Sequence, residues 1–272
     1  MQILLDQLEK IKQRPKSAPP ALMTHVVLGY PNMKASIEIV RAMADGGASL
    51  IELQIPFSDP MADGPTIMAA NEASLENGTR VRDCFKAAEK LSRDISVPLL
   101  FMSYFNLLYC YPGSVKRFCR DAAQAGVQGL IVPDVPPEET SEGYYEHAYV
   151  SKVVPVPVVA PVSTKARLTA IQKVAPKGFV YCVSTTGTTG ARSELPAGLP
   201  AYLKSVKSVF KLPVAVGFGI STPKQVASLR GVAEIAVVGS AMIDRIKQSP
   251  PKRLGSEVKL FTRALLGLAN SK

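Results

Sequence analysis

The chain has 272 residues, 47% of them hydrophobic and 20% charged, which is a globular composition with ample material for a core. No apolar run approaches the roughly 18 to 20 residues that a membrane span needs, and the start, MQILLDQLEKIKQRPKSAPP, lacks the basic-then-apolar order of a secretory signal. The net charge of +10 gathers near the two ends, and aromatics are only 7% with no basic stripe among them, so nucleic acid is excluded as a partner. What remains is a basic surface, with mild attraction for an anionic small substrate.

The first segment reads as a short amphipathic helix with Ile3, Leu4, Leu8 and Ile11 on one face. After it, strand patterns alternate with helical ones. Strands are predicted at 23–28, 50–55, 98–102, 129–132, 154–159, 178–183, 213–216 and 235–238. Amphipathic helices are predicted at 35–46, 81–93, 115–125, 164–175, 199–209, 223–229 and 257–268. Eight strands alternating with helices imply βαβ units and a parallel sheet, and at this length a (β/α)₈ TIM barrel fits better than an open sheet. The turn after the first strand, LGYPN, holds one glycine and lacks the dinucleotide fingerprint. With neither a linker nor a composition break, 1–272 is expected to be a single barrel domain with a short N-terminal helix.

Within the second strand and the turn after it, Glu52-Leu-Gln-Ile-Pro-Phe-Ser-Asp-Pro-Met-Ala-Asp-Gly-Pro65, strand parity turns Ile51, Leu53 and Ile55 toward the helices. Leu50, Glu52 and Gln54 then point into the barrel. A carboxyl there must shift its pKa upward or meet a cation or donor, and a raised pKa suits a group that moves protons near neutral pH. Asp59 reads as turn chemistry between Ser58 and Pro60. Asp63 has two open readings, turn residue or second catalytic carboxylate, since its stiff loop leaves the same strand as Glu52.

Glycine-rich turns follow the last three strands: Thr185-Thr-Gly-Thr-Thr-Gly-Ala191, Gly217-Phe-Gly-Ile-Ser221 and Val238-Gly-Ser-Ala241. The latter two sit where barrel enzymes commonly bind phosphate through backbone N–H groups and helix starts. The first, small and polar, reads as a lid over 185–196. His25 and His147, the only histidines, lack metal-ligand spacing, and no nucleophile elbow is present. Cys84, Cys110, Cys119 and Cys182 are scattered, as free thiols in a reducing cytoplasm would be. Proton transfer on a phosphorylated small molecule, without a metal, is the chemistry left standing.

Taken with MSYFN at 102–106, GLIVPDVPPEE at 129–139, STTGTTGAR at 184–192, VGFGIST at 216–222 and VVGSA at 237–241, the motif IELQIPFSDPMADGP resembles the tryptophan synthase α subunit family. The resemblance covers nearly the whole chain. It implies a lyase that cleaves indole-3-glycerol phosphate to indole and glyceraldehyde 3-phosphate by retro-aldol chemistry, with no cofactor of its own. By the same resemblance Glu52 is the proton-transferring glutamate and Asp63 the aspartate that holds the indole N–H. Thr189 is the lid threonine that contacts the aspartate, Tyr181 lies beside the substrate, and Gly190, Gly219, Gly239 and Ser240 bind phosphate. It further implies a cytoplasmic αββα complex with a β subunit that carries pyridoxal phosphate, faced by the Pro56–Pro65 loop and the region of Asn106 and Asp134. Four positions depart from the family pattern: Gln54 for Gly, Leu107 for Pro, Thr188 for Val, and Thr185 where Arg is common. Gln54 projects inward one layer from Glu52, where it either narrows the pocket or bonds the catalytic group. It motivates an alternative reading, an α-type subunit that mainly activates its β partner.

Overall fold

The computed structural model describes residues 1–183, 198–217 and 219–268. Among them are nine parallel strands: β1 (Ala21–Val27), β2 (Leu50–Gln54), β3 (Leu99–Met102), β4 (Gly129–Ile131), β5 (Val154–Val156), β6 (Val158–Val159), β7 (Val180–Val183), β8 (Val214–Gly217) and β9 (Ile235–Val238). They run in the order β5-β4-β3-β2-β1-β9-β8-β7-β6. The two ends of that row are neighbours in the chain, separated only by Pro157, so the sheet curls into a TIM-type barrel.

The single fifth strand expected at 154–159 is thus two pieces. Proline has no N–H to give a ladder, which breaks the strand at that point. Its carbonyl still works: the Tyr181 N–H donates to Pro157 O at 2.9 Å, carrying the pairing across to β7.

Helix α1 (Gln2–Lys12) precedes the barrel and α2 (Met33–Asp45) follows β1. Two helices follow β2, α3 (Pro65–Glu76) and α4 (Val81–Asp94), and two follow β3, α5 (Phe105–Tyr109) and α6 (Ser114–Gln124). Then come α7 (Tyr144–Val150), α8 (Lys165–Val174), α9 (Leu199–Val209), α10 (Pro223–Ser228), α11 (Ser240–Gln248) and α12 (Leu254–Leu265). Caps fix several ends: Asn32 accepts from the Ala35 N–H before α2, and Thr164 from the Arg167 N–H before α8. The last helix begins at Leu254, three residues ahead of the expected Glu257, after a 3₁₀ turn over Pro251–Arg253.

Strand alternation divides the apolar residues into two cores. Ile51, Leu53 and Ile55 pack with the helices outside, while Met23, Leu50, Leu100, Val154, Phe179 and Ile235 fill the barrel interior. Helix α1 closes the floor of that interior through Leu4, Leu8 and Ile11. Ile3, expected on the same face, is 56% exposed. At 100° per residue, Leu4, Leu8 and Ile11 fall within one narrow stripe and Ile3 lies outside it. The close approach of α1 needs space at Gly129, where a Cβ would stand 2.8 Å from Leu100 and 3.3 Å from Leu4. With the floor sealed, the open end of the barrel is the end where β2 delivers its loop.

Candidate active site

At that open end a cleft is lined by His25, Glu52, Asp63, Tyr181, Gly217, Gly219, Gly239 and Ser240, with Ile67, Met102, Ile131 and Val237 among its apolar walls. Six of the eight sequence-predicted site residues therefore meet in one place. Thr189 and Gly190, with the whole 185–196 stretch, lie outside the described residues. The cleft combines apolar walls with a few convergent polar groups, as ligand sites do.

Glu52 is carried inward by β2 and is 4% exposed. Its partner comes from the neighbouring strand. The β1–β2 register sets His25 beside Glu52, and the imidazole Nδ1 lies 3.3 Å from Glu52 Oε1. Burial pushes the His25 pKa down. The charge and hydrogen bond of Glu52, with help from Asp63 and Gln54, outweigh it and hold the ring above its ordinary value of 6.5. Glu52 Oε2 and His25 Nε2 are buried with no hydrogen-bond partner.

Asp63 is placed by a loop with little freedom. Its own N–H donates to Pro60 O at 2.9 Å, and Gly64 and Pro65 then start α3. The Phe57 N–H donates to Asn71 Oδ1 at 3.0 Å, the Ala62 N–H to the Tyr104 hydroxyl at 3.0 Å, and the Phe57 and Tyr104 rings stack at 5.2 Å. The carboxyl is 5% exposed, and burial raises its pKa above 3.8; a hydrogen bond from Gln54, the charge of His25 and the Tyr104 hydroxyl pull it part of the way back. Asp59 is exposed and takes a hydrogen bond from Ser58, in keeping with a turn residue.

Gln54 does not line the cleft. It lies fully buried behind Asp63, donating from Nε2 to Asp63 Oδ2 at 2.6 Å and to Asn71 Oδ1 at 3.4 Å. Of the two outcomes that the sequence left open, it bonds the carboxylate and leaves the pocket width alone.

After β8, Gly219 takes a left-handed φ of +68°, which a side chain would resist. Gly239 precedes α11, and Ser240 opens it. Tyr181 reaches in from β7, so close to β8 that a Cβ on Gly217 would stand 2.9 Å from its ring. Burial raises the Tyr181 pKa well above 10, and the charges of Glu52 and Asp63 add to the rise, so the hydroxyl stays neutral. Among the described residues that line the cleft there is neither Lys nor Arg, and backbone N–H groups and the Ser240 hydroxyl are the donors they offer an anion.

His25, Asn71 and Tyr104 were not singled out from the sequence. A signal existed for His25, an inward parity position on β1, but its register against Glu52 is a tertiary fact. Among the described residues no group of three or more His, Cys, Asp or Glu could hold a metal ion, and no helix is long and apolar enough to cross a membrane.

The family description "Tryptophan synthase alpha chain" matches residues 9–265. A protein of that name from Desulfotalea psychrophila is 43% identical over 249 residues, 91% of this chain and 96% of the relative. One from Syntrophotalea carbinolica is 42% identical over 222 residues, 82% and 86% of the two chains. Among solved structures, Mycobacterium tuberculosis tryptophan synthase superposes with a TM-score of 0.84 at 33% identity, covering 97% of this chain and 95% of the other. A variant tryptophan synthase α subunit from Pyrococcus furiosus gives 0.83 at 34%, covering 92% and 99%. Length, barrel and sequence agree along nearly the whole chain, which belongs to the tryptophan synthase alpha chain family.

Proposed function

We propose that this chain is the lyase of tryptophan synthase, cleaving indole-3-glycerol phosphate to indole and glyceraldehyde 3-phosphate. The observation that carries the reading is one cleft lined both by two buried carboxylates and by the Gly219, Gly239 and Ser240 turns. A substrate anchored by its phosphate at the turns lays its indole ring against the apolar wall, within reach of both acids.

Glu52 delivers a proton to indole C3, and Asp63 accepts the ring N–H, so that positive charge developing on the indole meets a fixed anion. The C3–carbon bond to the glycerol chain then breaks and its electron pair restores the aromatic ring. The adjoining hydroxyl loses its proton as the aldehyde forms, and the Glu52 carboxylate, having given one proton away, takes it up. The sum is one proton moved from oxygen to carbon, with no redox step. Tyr181 walls the substrate, and Thr189 and Gly190 take the lid and phosphate roles in the same scheme. The chain needs no cofactor for this chemistry.

A β subunit is the partner, in an αββα complex whose β chain holds pyridoxal phosphate and receives the indole. The loop from Pro56 to Pro65 and the turns at Asn106 and Asp134 form the docking end. Support comes from Met61, 88% exposed, and Tyr109, 57% exposed, and from Asp134, which accepts the Phe105 N–H at 2.9 and 3.0 Å and ties two of these turns together. The four free cysteines suit a cytoplasmic setting. The activator-only reading was motivated by Gln54, which lies behind Asp63 and bonds it.

The test mixes the purified chain with indole-3-glycerol phosphate and a β partner and follows glyceraldehyde 3-phosphate. Glu52→Gln keeps the shape and removes the proton donor, and kcat should fall about 10²–10⁴-fold. Substantial turnover by that variant would remove Glu52 from its role. Acceleration of the β reaction with no cleavage would favour the activator.

A further inference from the structure

A buried histidine that this cleavage scheme does not use stands beside one of its two acids. His25 is 4% exposed, its Nδ1 is 3.3 Å from Glu52 Oε1, and Glu52 Oε2 is left without a partner. We propose that His25 is a positioning residue for the cleavage, gripping Glu52 by Oε1 so that its carboxyl is held at the cleft, and that the two side chains carry one exchangeable proton between them. The inference rests on the lyase reading and names how its acid is held and recharged.

Three features of the site support it. A lone carboxylate at this depth is costly, and a second one, Asp63, shares the cleft, so a cation at Nδ1 offsets a charge that water cannot reach. The titratable groups facing the ring are Glu52 from β2, Asp63 from the following loop and, across the cleft, Tyr181 from β7; β9 on the other flank presents Val237. Gln54 lies near enough to favour the charged ring, although neither Gln54 Oε1 nor His25 Nε2 has a well-formed hydrogen bond. The ring is thus surrounded by groups that favour a proton, against burial that opposes it.

The proton count closes. With one proton on the pair, Glu52 gives it to indole C3 and is left as a carboxylate beside neutral imidazole. The hydroxyl proton released as the aldehyde forms returns to the pair, which ends as it began.

The chain holds only two histidines, His25 and His147, so NMR titration of ring-labelled protein reads the pair directly, with His147→Gln assigning the second signal. The His25 midpoint should lie above 6.5 in the wild type and fall by about one pH unit or more in Glu52→Gln, where burial acts with less opposition. In the assay, His25→Gln should lower kcat about 10–100-fold with KM nearly unchanged and reshape the kcat–pH profile. Adding His25→Gln to Glu52→Gln should cost nothing further. An unmoved His25 midpoint in Glu52→Gln would overturn the pair, as would a wild-type kcat and pH profile in His25→Gln. The titration needs no histidine variant to fold other than at position 147. If the wild type cleaves and the midpoint stays put, the lyase reading stands and the pair fails. If the midpoint shifts but the wild type releases no indole, the shared proton stands and the role in cleavage falls with the lyase reading.

Discussion

Replacing Gln54 tests whether the residue behind Asp63 sets the state of that acid. Gln54→Ala removes the 2.6 Å hydrogen bond from Nε2 to Asp63 Oδ2, a bond to a charged group worth about 1.5–3 kcal/mol. It also removes a buried methylene, about 1 kcal/mol of transfer free energy before any cavity cost. Against this, Gln54 Oε1 is buried unpaired, and deleting it returns about 1–3 kcal/mol. The net loss is about 1 kcal/mol, or about 2 °C in Tm for a chain of this size. The effect on chemistry is separable. Gln54 is the foremost of the groups that draw the Asp63 pKa down against burial, ahead of His25 and Tyr104. Without it Asp63 holds its proton to higher pH, so the acid limb of kcat/KM for indole release moves upward. Gln54→Met keeps most of the volume and loses the donor; it should move the limb equally with a smaller drop in Tm. The measurement is kcat/KM from about pH 5 to about pH 9 beside thermal melts. An acid limb that stays in place in both variants would refute the argument, whatever happens to stability.

Asp63→Asn should abolish indole release and raise Tm at neutral and alkaline pH. The folded-state pKa of Asp63 lies above its unfolded value, so the ionised group costs stability once the pH has risen through the folded pKa, and costs nothing below 3.8, where both states are neutral. Melts across pH check the sign: the gain must shrink on acidification. Gly217→Ala places a Cβ 2.9 Å from the Tyr181 ring and drives that ring into the cleft, so KM should rise several-fold, roughly 1–2 kcal/mol of binding lost; an unchanged KM refutes the crowding. Native protein should show one fast thiol, Cys110, which is exposed. Cys84, Cys119 and Cys182 are buried, and burial pushes the latter two thiols up to about 12 and Cys84 higher still. A disulfide-exchange reagent counts them before and after denaturation, and two fast thiols in the native protein would contradict the packing.

The barrel was legible because its signal is periodic and local: alternation within each strand and an apolar stripe on each helix need no knowledge of neighbours. Parity alone turned Glu52 inward. Pro157 carried its own message in the missing N–H, yet the run of valines around it reads as one strand until the pairing is seen from both sides. Helix α3 was hidden behind the prolines and glycine of the loop before it, so Asn71, which holds Phe57 and takes a bond from Gln54, had no visible place in the site. His25 was visible as an inward polar residue on β1, but nothing local tells which residue of β2 stands opposite. A shift of one residue in that register would have set it against Leu53 or Ile51 and away from the cleft.

That register also explains how one cleft tolerates two buried acids. A carboxylate has lone pairs for several donors, and burial leaves water unable to supply them. Here the protein supplies only a few donors to each acid. Glu52 meets His25 through Oε1, while Asp63 takes Gln54 on Oδ2 and the Tyr104 hydroxyl. Full satisfaction would have made both groups structural, with no lone pair left to act on a substrate. No donor at all would have forced the protein to keep both neutral or expel one. Partial satisfaction leaves Glu52 Oε2 buried and without a partner in a residue that lines the cleft, so the energy withheld there is released only when a polar atom is brought to that spot.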